Sequence, residues 1–266
     1  MAIKHFNIIP ACAAALASAV LFSSCILEKR HTADGELRDG LITVSQPIAE
    51  FSEIEASGAM VIAYRQAPSD SVRIEGAANL VSRVVVDQDG DRLRLRMKEG
   101  RVSMSDAGPK LVVYVSSENL SSVRLSGSNK LKISEPVSVP ELHLDVTGAG
   151  DVDVEDLTVK DRLRVDLSGA GNLDIDNAVA GEVDLRMSGA GDIDGNFKNA
   201  SSVNIEVSGA GDADLSLADC GDVRCHVSGA ADVKLKGTAR RLDCDKSGAA
   251  DIDYDSLKTS EGVRVR

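Results

Sequence analysis

The sequence predicts an all-β protein wound as a parallel β-helix, a solenoid of about 20 residues per coil with some antiparallel pairing in its N-terminal part. Three observations predict it. A phrase recurs six times at a spacing of 19 to 21 residues: Thr147-Gly-Ala-Gly-Asp-Val-Asp-Val, Ser168-Gly-Ala-Gly-Asn-Leu-Asp-Ile, Ser188-Gly-Ala-Gly-Asp-Ile-Asp-Gly, Ser208-Gly-Ala-Gly-Asp-Ala-Asp-Leu, Ser228-Gly-Ala-Ala-Asp-Val-Lys-Leu and Ser247-Gly-Ala-Ala-Asp-Ile-Asp-Tyr. Apolar residues alternate with period two on both sides of each phrase, which is the mark of half-buried strands. No helix of ordinary length is legible after residue 24. A period of this length is one coil, which buries its apolar face only by stacking on its neighbours.

Residues 1–24 read as a secretory signal. Lys4 and His5 precede an apolar run that ends at Leu21-Phe22-Ser23-Ser24-Cys25, and the run is too short and too broken by Pro10 to span a bilayer. Leu21 to Cys25 resembles the lipobox of bacterial lipoproteins, which marks Cys25 as the acylated residue and the mature N-terminus. Acyl chains there would attach the protein to a membrane, since each buried methylene contributes about 0.8 kcal/mol. Residues 25–40 are polar and aperiodic and read as a lipidated cysteine followed by a flexible tether. Residues 41–119 form the N-terminal β region, with strands at Leu41-Ile-Thr-Val, Met60-Val-Ile-Ala-Tyr, Ser71-Val-Arg-Ile-Glu, Val84-Val-Val-Asp, Arg92-Leu-Arg-Leu-Arg-Met and Leu111-Val-Val-Tyr-Val. Asp87-Gln-Asp-Gly-Asp91 is a hairpin turn signal, so antiparallel pairing is expected here.

Residues 120–266 form the regular solenoid. Before each Gly-rich corner the inward positions are Leu142, Leu144, Val146; Leu163, Val165, Leu167; Val183, Leu185, Met187; Val203, Ile205, Val207; Val223, Cys225, Val227; and Leu242, Cys244, Lys246. Lys246 suits a terminal coil whose outer side meets water. After the corner Val152 and Val154, Leu173 and Ile175, Val233 and Leu235, or Ile252 and Tyr254 turn inward, and Leu157, Phe197, Leu217 or Leu257 follows as a third apolar step. Ser126-Gly-Ser-Asn and Ser57-Gly-Ala-Met are looser copies of the phrase. Six stacked copies extend about 24 Å at strand spacing. General connection chirality favours a right-handed coil.

At each corner glycine supplies backbone freedom, Ala is small enough for a tight inner bend, and Ser or Thr can bond the turn backbone. Serine as a nucleophile is not indicated, because no Gly-x-Ser-x-Gly elbow and no recurring His accompany it. The Gly-x-Gly pairs lack a following helix and are followed by a carboxylate, which repels phosphate. Two outward columns then appear: Asp151, Asn172, Asp192, Asp212, Asp232, Asp251, and Asp153, Asp174, Asp194, Asp214, Lys234, Asp253. Unit charges about 4.8 Å apart repel by roughly 0.9 kcal/mol in water and more in protein. Hydrogen bonds to turn amides, salt screening or a divalent cation can offset this. A solvated structural face is the favoured reading; Asp151, Asp153, Asp192, Asp194, Asp212 and Asp214 are weak calcium candidates. No cofactor is otherwise implied.

Residues 25–266 carry 29 basic and 42 acidic side chains, a net charge of −13, so nucleic acid and anionic membrane surfaces are poor partners. After residue 24 the aromatic residues are Phe51, Phe197, Tyr64, Tyr114 and Tyr254, too few for stacking platforms. Cys220, Cys225 and Cys244 lack zinc-site spacing and read as small buried apolar residues, with the adjacent-coil pair Cys225 and Cys244 within disulfide reach.

Cys25, the tether, the Phe51-Ser-Glu-Ile-Glu-Ala-Ser-Gly opening and the Ser-Gly-Ala-Gly-Asp coils together resemble the bacterial GIN-domain family, labelled an autotransporter adhesin head domain. The likeness covers about residues 41–260, with Gly58-Ala-Met-Val where the family often has Gly-Ile-Asn-Val. The resemblance implies a β-helical cell-envelope protein. The expected function is a non-catalytic binding, adhesin-like or structural module, anchored to the outer membrane by lipid and meeting an envelope glycan or protein. The alternatives are a polysaccharide-active β-helix enzyme, using these acids with outward Arg162, Arg164, Arg186 and Arg224, or a periplasmic scaffold. Against an enzyme stand the near-identical repetition of the acids and the four coils that separate His143 from His226.

Overall fold

The structure, a computed structural model, describes residues 41–98 and 111–266; the signal, Cys25 and the tether lie outside these residues. The described chain winds into a parallel β-solenoid in which the predicted corners stack in register. Gly58 pairs with Gly127, and Gly127 with Gly148, followed by Gly169, Gly189, Gly209, Gly229 and Gly248. The looser copies at Ser57 and Ser126 are therefore true members of the column. Period-two alternation sends every second residue inward, as in Asn172–Gly189, where Leu173, Ile175, Val183, Leu185 and Met187 are all buried.

One face carries the strands that precede each corner and a second face those that follow it. A third, shorter side runs from Val137–Val139 over Leu157–Val159 and Ala178–Ala180 towards Phe197. Register shifts between Val139 and Glu141 and between Val159 and Arg162 mark the bend that returns the chain to the first face.

The N-terminal end departs from simple winding. Arg92–Met97 and Val112–Ser117 pair in parallel with Glu53–Gly58 and Val61–Gln66 on the side away from the later coils. The chain therefore builds the second layer first, adds an outer layer, and crosses back to Ser122–Gly127. The expected antiparallel pairing closes this end: Val84–Asp89 folds on Arg92–Met97, Leu41–Pro47 on Ser71–Ala77, and Ser71–Ala77 on Val112–Ser117. Arg73 and Tyr114 are cross-strand partners there, with the guanidinium 3.7 Å from the ring centre. The sole helix among the described residues is the single turn Ala78–Val81.

Packing on the third side explains the odd glycine of the third clear repeat. The inward column runs Leu157, Ala178, Phe197, Leu217. Phe197 is fully buried, and a Cβ on Gly195 would lie 2.6 Å from its ring edge. The ring thus fills space that Val154, Ile175 and Leu215 occupy in their own coils. At the far end Lys246 is exposed and lies 3.7 Å from Asp251, as a terminal coil requires.

The corner itself differs from expectation in one respect. Ala149, Ala170, Ala190, Ala210, Ala230 and Ala249 are exposed, while the residue after each is tucked inward: Gly150, Gly171, Gly191, Gly211 and Ala231 are buried, and Ala250 in the terminal coil is half-buried. The inner bend is filled by that second small residue because the Ala must point out to aim its amide along the axis. Each of these alanine N–H groups donates to the glycine carbonyl of the coil before, as from Ala190 to Gly169 at 2.8 Å. A Cβ on Gly191 would collide with the Gly171 carbonyl, so bulk at this corner pushes coils apart.

Two stability outcomes follow. Phe197→Ala leaves a cavity and costs about 3–5 kcal/mol, and Gly195→Leu alone destabilises by overpacking. The double variant Gly195→Leu/Phe197→Leu, which restores the common pattern, should lose less in denaturant melts than Gly195→Leu and Phe197→Leu measured singly and summed.

Candidate binding surface

The acidic columns lie as predicted on the outside of the second face. Asp151 stacks on Asn172, Asp232 on Asp251, and Asp153 on Asp174, Asp194 and Asp214, with Lys234 between Asp214 and Asp253. Backbone amides supply most of the offset in the first column. Asp192 N–H donates to Asn172 Oδ1 at 3.2 Å, Asp212 N–H to Asp192 Oδ1 at 3.3 Å, and Asp232 N–H to Asp212 Oδ1 at 3.4 Å. Asn172 Nδ2 in turn donates to Asp151 Oδ1 at 3.3 Å. A carboxylate that receives such donors tolerates its neighbours.

The second column relies on ammonium groups at either end of its run of four aspartates, Asp153 to Asp214. Lys130 lies 3.5 Å from Asp153. Lys236, rather than Lys234, reaches Asp214 at 2.9 Å. Between them Asp174 makes no ion pair among the described residues, and its carboxyl is pushed above the usual range by burial first and then by Asp176, Asp153 and Asp194, with Lys130 acting the other way. The six calcium candidates thus form ladders, and among the described residues no three His, Cys, Asp or Glu side chains converge on a point that could hold a metal ion.

The first face carries a different pattern, which the sequence reading did not resolve. Its outward columns alternate in charge over much of the axis: Arg92 opposes Glu53, Arg94 opposes Glu55, Glu55 opposes Arg124, and Arg124 opposes Asp145. The alternation breaks where Asp145 opposes Asp166, and there Arg124 reaches Asp145 while Arg164 and Arg186 reach Asp166. Further along, Glu141 opposes Arg162, Arg162 opposes Glu182, Asp166 opposes Arg186, and Arg186 opposes Glu206. The four arginines weighed as catalytic cations are engaged here. Arg162 holds Glu182, Arg164 holds Asp166 at 2.6 Å, Arg186 reaches Glu206 at 3.3 Å, and Arg224 reaches Asn204 at 3.4 Å. Exposed pairs contribute only about 0.2–1 kcal/mol each, but a connected row fixes side-chain positions across the face. Comparing outward residues one repeat apart was the available signal.

Asp166 is the junction of this network. Burial pushes its carboxyl up, but hydrogen bonds with Arg164 and with His143 Nε2, the latter at 2.8 Å, outweigh burial and hold it below the usual range. Ser122 is the register partner of His143, so Ser122, His143 and Asp166 occupy three successive strands. They do not form a nucleophile relay, because the buried Ser122 hydroxyl makes no hydrogen bond with the imidazole. His226 lies separately beside Asp245, at 3.5 Å. An open depression of about 310 Å³ crosses this face and is lined by Asp184, Arg186, Asn204, Glu206, Arg224 and His226 among others. Phe51, Tyr64 and Phe197 are buried, which leaves the half-buried Tyr114 and Tyr254 as aromatic surface among the described residues.

The two shifted aspartates give opposite pH signatures. Asp166→Asn should destabilise at neutral pH, with the difference fading as pH falls below the unfolded carboxyl value near 3.9 and on through the lowered folded value. Asp174→Asn should stabilise at neutral pH, with the gain vanishing as pH falls through the raised folded value. Melting curves from pH 3 to 8 separate the two. After chelation, millimolar calcium should leave the melting midpoint unchanged; a rise would assign an ion to the ladders.

Comparison with known proteins agrees with this architecture. The sequence profile described as "Putative auto-transporter adhesin, head GIN domain" matches residues 50–219 and 196–263. Among proteins with curated descriptions, none matches this chain. A crystal structure of a putative adhesin from Bacteroides fragilis is 19% identical, covers 86% of this chain and 98% of its own, and superposes with a TM-score of 0.56. A putative adhesin from Parabacteroides distasonis is 21% identical with a TM-score of 0.53, covering 86% of this chain and 98% of its own. Another protein of that species, described as a putative lipid binding protein, is 18% identical with a TM-score of 0.50 and covers the same shares. At these identities the structures speak to fold alone, whereas the profile spans nearly the whole solenoid: the chain belongs to the GIN-domain family of auto-transporter adhesin heads.

Proposed function

We propose that this protein is a non-catalytic, adhesin-like module of the cell envelope, a stiff rod tethered through lipid on Cys25 that presents its faces to an envelope glycan or protein. The observation that carries the reading is the first face, where the acids and bases needed for a reaction are instead tied to each other in a repeating row. Such a surface is rigid, hydrated and polar, which suits reversible contact with a polar polymer through many weak interactions. The second face, strongly acidic, disfavours polyanions and leaves polar neutral or cationic groups as the compatible chemistry.

Family membership supports the reading, since the family description is that of an adhesin head. Among the described residues no helix is long and apolar enough to cross a membrane, so attachment would fall to the N-terminal segment.

Labelling with fractionation, protease treatment and a ligand screen test the proposal. A palmitate analogue should label the wild-type chain in cells, and Cys25→Ala should abolish the label and release the protein from the membrane fraction. Intact cells treated with protease should lose the solenoid, and the purified protein should bind envelope glycans or proteins in a screen. Protection from protease together with no retained ligand would replace the adhesin reading with that of a periplasmic scaffold.

A further inference from the structure

One inward column of the first face runs Leu144, Val165, Leu185, Ile205, Cys225, Cys244, Val265. Four branched aliphatic residues thus give way to two cysteines in adjacent coils, directly opposite each other. Both are buried, and both are free thiols. Parallel strands lie about 4.8 Å apart, which is inside the Cα separation of about 4.4–6.8 Å that a disulfide spans. Cys220 does not share the arrangement, because its register partner is Ala239 and its thiol faces the carbonyls of Phe197 and Ala218.

Access to the pair comes from the end of the solenoid. Cys244 is covered by Val263–Val265, a three-residue strand whose valines are 42% and 46% exposed. Arg266 N–H to the Cys244 carbonyl, at 3.0 Å, and Leu242 N–H to the Gly262 carbonyl, at 3.2 Å, are among the few bonds that hold it. So short and exposed a strand opens locally at far lower cost than the coils beneath.

We infer that Cys225 and Cys244 are a redox-responsive staple, joined by exchange with a small-molecule or protein disulfide when the last strand frays. The Cys244 thiolate attacks one sulfur of the external disulfide and expels one thiolate. Cys225 then gives up its proton to that leaving group and attacks the Cys244 sulfur of the mixed disulfide, which expels the second thiolate, and this takes up from water the proton that Cys244 released on ionising. Two cysteine thiols are oxidised to one disulfide, and the external disulfide is reduced to two thiols. The hydrogen bond with Cys244 and then burial push the Cys225 thiol up, which fits its role as the second attacker. Excess reductant reverses the steps through the same opening.

The test uses the full chain, reduced and then treated in the folded state with oxidised glutathione. Peptide mapping under denaturing, alkylating conditions should find Cys225 joined to Cys244 and Cys220 alkylated. The melting midpoint should rise by roughly 6–12 °C, as expected for closing a loop of this length in a domain of this size. Val265→Asp should speed the reaction several-fold by loosening the covering strand. Cys225→Val, which restores the aliphatic column, should leave the reduced midpoint unchanged and abolish the rise. A bond to Cys220, a glutathione adduct without the internal bond, or unreacted Cys225 and Cys244 in the mapped wild-type chain would overturn the inference, whatever the variants do.

Discussion

The hydrogen bond from each corner alanine to the glycine carbonyl of the preceding coil sets the distance on which the other contacts depend. It repeats at 2.8 Å from Ala149 to Ala249 and holds the coils at strand spacing on the edge where two faces meet. Glycine is required in the column because any side chain at, for example, Gly169 would meet the Gly148 backbone, and its φ of +124° is one that other residues rarely adopt. With the corners fixed, period-two alternation leaves no choice about which residues enter the core.

The same spacing governs the exterior. Like charges one coil apart would repel, and the two faces meet that problem differently. On the second face the Asn172 and aspartate side-chain oxygens accept amides of the next coil, with lysines at either end of the run Asp153 to Asp214 in the neighbouring column. On the first face opposite charges alternate over much of the axis, and where Asp145 meets Asp166 arginines flank the pair. Both solutions immobilise polar groups on the outside of the solenoid, and the proposed function rests on that arrangement.

Much of this was legible in the sequence. The repeat period, the inward positions, the acidic columns and the looser corners at Ser57 and Ser126 needed only spacing and alternation. The order of the N-terminal layers was not legible, because Arg92–Met97 shows the same alternation whether it lies inside or outside Glu53–Gly58. The sequence reading gave the inner bend to the Ala, where the structure gives it to the residue that follows, since both are small and only the direction of the amide distinguishes them. Asn129 was also missed: it stands in the buried column before Gly150, accepts the Met60 amide at 3.2 Å and donates to the Ser126 carbonyl at 2.7 Å. The charge rows of the first face escaped notice because alternation along the axis is visible only when residues one coil apart are compared. Cys25, Lys4 and the tether belong to a part of the chain whose reading rests on sequence alone.

Residue-level amide hydrogen exchange measures the corner bond directly. The alanines of the corner have exposed side chains, so their amides would exchange quickly if each corner were an ordinary surface turn. The account predicts that the Ala170, Ala190 and Ala210 amides are protected to the level of buried strand residues such as Val183 and Val203. Exchange at those three positions as fast as in an open loop would contradict it.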